Sequence, residues 1–135
     1  MKARDLNGNH GVVLHLAKVA QRAAIKHWMV NNYVGGRKEL AEWNDDRYSY
    51  CGFYTTGVMK AGKDETDVQK RRNWSSKGTP LRYLKDLVTA GFLTTDQSHG
   101  GGIHSFRFNR ETCDALAAEV RAELIAEGIK PRNEA

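Results

Sequence analysis

The stretch from Thr79-Pro80 to Gly91 is the most sharply punctuated segment of the chain, and it constrains the fold more than any other feature. Thr79 can act as an N-cap and Pro80 as the first helical residue, where its missing N–H costs nothing because first-turn N–H groups have no partner within a helix. Gly91 stands where helices commonly end in a left-handed residue. Between them Leu81, Leu84, Leu87 and Val88 recur at helical spacing, so the helix Pro80–Ala90 has one apolar stripe to bury. Phe92-Leu93-Thr94-Thr95 follows, then the polar, Gly-rich Asp96–Gly102, then Ile103–Asn109, where Phe106 and Phe108 alternate with Arg107. Two extended runs joined by a Gly-rich tip predict a β-hairpin. Upstream, Thr66 or Asp64 can cap a short helix running to Arg72, with Glu65 and Asp67 in its first turn and Asn73-Trp74-Ser75-Ser76 as the interruption.

The flanks read as further helix. In Gly11–Val34, residues Val12, Leu16, Val19, Ala20, Ala23 and Ala24 fall on one face, Lys18, Arg22 and Lys26 on another, with Asn7 or Asn9 as cap and Gly35-Gly36 as the stop. Arg37–Trp43 predicts a short second helix ended by Asn44-Asp45-Asp46. Arg47–Met59 is rich in Tyr, Phe and Thr but broken by Gly52 and Gly57; it reads as one short strand plus loop, followed by a polar turn at 61–64. A last helix opens at Asn109 or Arg110, carries Leu116, Val120 and Leu124 as its seam, and stops at Gly128. The fold class is therefore mainly α with a small β-hairpin, and residues 1–135 are the length of a single domain.

Hydrophobic residues make up 40% of the chain and charged residues 27%, a balance that argues against disorder. No apolar run is long enough to span a bilayer, and the N-terminus turns polar where a signal peptide would need its apolar stretch, so a cytoplasmic location is expected. Cys51 and Cys113 have no CxxC partner and read as reduced thiols. The net charge of +5 is unevenly placed: +3 over residues 1–59, +5 over 60–110 and −3 over 111–135. A basic middle suits a polyanion.

The stretch DVQKRRNWSSKGTPLRYLKDLVTAGFL, Asp67–Leu93, resembles the winged helix-turn-helix family of prokaryotic and phage regulators. In that family a polar helix, a Ser/Thr-rich turn and a helix of the form "xxxRYLKxLVxxGFL" lead into the wing. The resemblance covers residues 66–109, makes residues 11–34 the family's first helix, and implies a double-stranded DNA-binding transcriptional or replication regulator. It implies Pro80–Ala90 as the recognition helix, with Arg82, Tyr83 and Lys85 facing the groove and Ser75, Ser76, Lys77 and Thr79 at its N-terminal end. Lys70, Arg71 and Arg72 would grip phosphates from the end of the preceding helix, and His99, His104 and Arg107 would serve the wing. Residues 110–128 would be an appended helix, packed either on the first helix or against a second copy through Leu116, Val120 and Leu124.

Other chemistries find little support. His99, His104 and Cys113 lack the tight paired spacing of structural zinc. Glu42, Asp45 and Asp46 are more simply a helix-end acidic cluster than a nuclease centre, so neither an enzyme nor a cofactor is expected. Trp28, Trp43 and Trp74 are spread along the chain and read as packing residues rather than a stacking platform. The rival to DNA binding is a winged helix used as a protein-docking module, because fold alone does not decide function.

Overall fold

The computed structural model describes residues 8–31, 46–96 and 105–129. The expected short helix Arg37–Trp43 and the hairpin tip with His99 and His104 lie outside them. The chain is mainly α with a small three-stranded antiparallel sheet, as its patterning implies. It divides into two compact units, one drawn from residues 1–20 and 52–109, the other from 21–51 and 110–135. Among the described residues no helix is long and apolar enough to cross a membrane.

In the first unit, the opening turns of α1 (Asn9–Met29) are followed by β1 (Phe53–Tyr54), α2 (Thr55–Asp64), α3 (Gly78–Thr89), β2 (Thr94–Asp96) and β3 (Ser105–Arg107). The strand order is β1-β3-β2, so β3 is central: Phe106 lies opposite Phe53 on one side and Thr95 on the other. The alternation of β3 does what period-2 patterning predicts, burying Phe106 and Phe108 and leaving Ser105 and Arg107 half-exposed. Val13, Leu16 and Ala17 of α1, Val58 of α2, Leu84 and Leu87 of α3, and Phe53, Leu93, Phe106 and Phe108 are the larger part of this unit's buried apolar set. The Phe53 ring lies 6.1 Å from that of Phe106 and 6.2 Å from that of Phe108, within the range of favourable aromatic pairs.

Three local expectations change. The helix that precedes α3 is Thr55–Asp64, not Thr66–Arg72, so the aromatic strand is only two residues long and the expected turn at 61–64 is the last turn of α2. Residues 67–71 instead form a hydrogen-bonded turn, with the side chains of Glu65 and Asp67 accepting from amides at its start. Glu65 Oε1 accepts from the N–H groups of Thr66 and Asp67 at 3.0 and 3.2 Å, and Asp67 Oδ1 accepts from Gln69 N–H at 3.0 Å. Finally, α3 begins at Gly78 with Lys77 as its N-cap, so Thr79 lies inside the first turn and Pro80 follows it there, its absent N–H still one of the four without a helical partner. The far end of α3 is as expected. Gly91 has φ +88°, its N–H donates to Val88 at 3.0 Å, and the Phe92 N–H donates to Leu87 at 2.9 Å, which together make a Schellman closure.

In the second unit the later turns of α1 meet α4 (Arg110–Ala126) through ions. Arg22 and Lys26 both pair with Glu123, the Lys26 contact at 2.6 Å, and Lys26 also reaches Glu127 at 3.5 Å. Tyr48, in a 3-10 turn at Arg47–Tyr50, is buried; its hydroxyl donates to Asp114 at 2.9 Å and the Arg121 guanidinium lies over its ring. Leu116, Val120 and Leu124 are buried within the chain, which fits the first of the two packings open to this seam, the intramolecular one. The side chain of Gln21 is fully buried and donates to the Cys51 carbonyl at 2.9 Å. Cys51 and Cys113 form no disulfide, and burial pushes the Cys51 thiol up to about 11, which favours its protonated form.

The Lys26 and Arg22 contacts hold the Glu123 carboxyl below its ordinary pKa. A group whose folded pKa is depressed contributes stability above its unfolded value and loses that contribution as pH falls through the folded one. Urea unfolding followed from about pH 6 to pH 3 is therefore expected to show an acid-side loss that Glu123→Gln flattens. An unchanged acid limb in that variant would remove Glu123 from the account.

Candidate nucleic-acid interface

The exposed side of α3 follows from its amphipathic spacing. With Leu84 and Leu87 fully buried and Pro80 covered in the first turn, Arg82, Lys85 and Asp86 point outward and are exposed. At the N-terminal end Ser75, Ser76, Lys77 and Thr79 are also exposed, Lys77 makes no side-chain cap, and the first turn carries no acidic residue. The amides of that turn and the positive end of the helix dipole therefore favour an anion.

Two side chains of α3, one acidic and one aromatic, are held by α1. His10 Nε2 lies 2.8 Å from Asp86 Oδ2, so the acidic residue of the exposed face carries a partner of its own. Asn9 Nδ2 donates to the Tyr83 hydroxyl at 3.1 Å, and the His10 ring meets the Tyr83 ring edge-on at 4.8 Å. Tyr83 is thus half-buried against α1 rather than directed at a groove. It serves Arg82 instead: the guanidinium stacks 5.0 Å from the Tyr83 centroid and donates to its hydroxyl at 3.2 Å, and that bond and the one from Asn9 hold the phenol below its ordinary pKa.

The basic triplet sits in the connection between α2 and α3, not at a helix end. Lys70 lies 3.8 Å from Asp67, and Arg72 donates to the carbonyls of Gln69 and Arg71 at 2.7 and 2.8 Å, while Arg71 is exposed. This connection spans residues 65–77 and is longer than the three- or four-residue turn of a compact helix-turn-helix. It is tied down at its start and at Arg72. His15 Nε2 lies 2.6 Å from Glu65 Oε2, a contact that holds the Glu65 carboxyl below its ordinary pKa, with the turn amides adding to it. The Arg72 N–H donates to the Gly62 carbonyl at 3.0 Å, in α2's last turn.

Gly62 is required by that approach. A Cβ there would stand 3.0 Å from the Arg72 carbonyl oxygen and 3.2 Å from the Trp74 ring, and backbone cannot swing aside as a side-chain tip does. Gly62→Val is expected to push the loop off α2 and to cost about 1–3 kcal/mol of stability, as overpacking does. Thermal unfolding with Trp fluorescence as the probe would register it, and a loss below about 0.5 kcal/mol would mean the loop yields freely.

Sequence reasoning missed Lys60 and Lys63, which are exposed on α2, because their segment read as loop and turn. It also missed Asn9 and His10, whose partners lie more than 70 positions away. Arg107 is half-buried on the central strand. Among the described residues no three His, Cys, Asp or Glu side chains gather as a metal site would need. Comparison with known proteins returned no matching family model, curated protein or solved structure.

Proposed function

We propose that the first unit is a winged helix-turn-helix that binds double-stranded DNA, in a small transcriptional or replication regulator acting in the cytoplasm. The observation that carries this reading is the face of α3. Its apolar stripe is buried, its acidic residue is partnered by His10, and Arg82 and Lys85 are left exposed beside an open helix N-terminus. A helix about 10–12 Å across matches the width of the major groove. Arg82 suits bidentate contact with guanine. Lys77, Lys85, Arg71 and the hydroxyls of Ser75, Ser76 and Thr79 suit phosphates, which supply most of the sequence-independent affinity. The order helix, strand, helix, helix, strand, strand, with β1 beside β3, accords with a hairpin wing set next to the recognition helix.

Fluorescence anisotropy against mixed-sequence duplex DNA at about 50 and 200 mM salt tests this. Four to six phosphate contacts predict a fall in affinity of roughly a hundredfold or more across that interval. No binding at the lower salt would overturn the DNA reading and leave the face of α3 as a protein-docking surface.

A further inference from the structure

We propose that the cavity between α2 and the loop entering α3 is a binding site for a planar heteroaromatic anion of mononucleotide size. The cavity measures about 360 Å³, within the range of small-ligand sites. One wall is a single stripe of α2: Thr56, Met59, Lys60 and Lys63 stand at i, i+3, i+4 and i+7 and so share a face. The other wall is Asn73, Trp74 and Lys77. Both belong to the first unit.

The lining sorts ligands by chemistry. Three of its seven residues are lysines and none is acidic; Asp64 of α2, outside the lining, pairs with Lys60 at 2.6 Å. Trp74 and Met59 add an indole and a polarizable thioether, surfaces that favour a flat ring. The Asn73 amide and the Thr56 hydroxyl can each donate or accept, as ring heteroatoms require. An inorganic anion would leave Trp74 and Met59 facing water, and an apolar ring would leave the lysines unanswered. A ligand with a ring and an anionic group answers both. The walls are set in advance, because the Arg72-to-Gly62 hydrogen bond and the close seat of Trp74 over Gly62 pin the loop to α2, which lowers the ordering cost of binding.

Lys77 is shared with the N-terminus of α3, so an anion seated here competes with a DNA phosphate. That consequence rests on the DNA reading, whereas the binding itself does not. The test is calorimetric titration of the full chain, without DNA, with AMP, GMP, CMP and UMP separately and with inorganic phosphate and adenosine. At least one nucleotide is expected to saturate at or below roughly 100 µM, with phosphate and adenosine each weaker by about tenfold or more. Lys63→Gln combined with Lys77→Gln, at two exposed positions where folding is not at stake, is expected to weaken that nucleotide by about tenfold or more. The proposal is overturned if no nucleotide saturates by about 1 mM, if phosphate or adenosine alone binds as tightly as the best nucleotide, or if the double variant keeps its affinity.

Discussion

Phe106→Ala is expected to lower the unfolding free energy by about 3–5 kcal/mol, a large fraction of the roughly 5–15 kcal/mol that a domain has. Phe106 is 1% exposed and sits on the central strand, so both sheet pairings pass through its residue position. Its ring also packs 6.1 Å from Phe53, which links the strand before α2 to the hairpin after α3. Truncation removes the transfer contribution of the ring and leaves a void that a two-residue β1 and three-residue β2 cannot collapse to fill. Tyr54→Ala provides the contrast on the same sheet: its side chain is 53% exposed, and the expected loss is within about 0.5 kcal/mol. Urea denaturation of both variants decides the matter. A loss below about 1 kcal/mol for Phe106→Ala would mean that the sheet is not a cooperative part of the unit.

The parts of this fold that were legible in the sequence are those whose signals are local. In α3 the Leu84–Leu87 stripe and the Gly91 stop both appear in the structure, and in α4 Gly128 has φ +91° with the same closing pattern, its N–H donating to Ile125 and that of Ile129 to Leu124. α2 was not legible, for a physical reason. Its buried positions are Thr55, Val58, Ala61 and Gly62, so the stripe contains one strongly apolar residue and two poor helix formers. Two glycines, Gly57 and Gly62, weaken the helical pattern, and the second of them is the one that admits the loop backbone. The acids at 65 and 67 look like the first turn of a helix because carboxylates that accept from the open amides of a helix start also close a turn. The exposed cations of the site, Arg82 and Lys85, follow from the helical wheel alone. The role of Tyr83 does not, because what turns it from groove to scaffold is a pair of residues at the start of α1, 74 and 73 positions away, and no local pattern reports them.

That arrangement leads to the sharpest functional expectation. Arg82→Ala is expected to weaken binding to a duplex selected from a random pool by about 1–3 kcal/mol, roughly 5- to 150-fold, while changing affinity for mixed sequence little. The guanidinium has five donors and spends one on the Tyr83 hydroxyl, so the stack over the tyrosine ring fixes its plane while leaving donors for the N7 and O6 of a guanine. Tyr83 is itself held by Asn9 and His10, which makes Arg82 the end of a chain of contacts rather than a free surface cation. Tyr83→Ala is then expected to erode the same discrimination, and the double variant to lose less than the sum of the two singles. Lys77→Ala offers the opposite signature: a comparable loss on every sequence and a salt slope shallower by about one. Equal loss on selected and mixed duplex for Arg82→Ala would place that residue with the phosphate contacts. Additive losses for Arg82 and Tyr83 would mean that the stack does not position the guanidinium for reading bases.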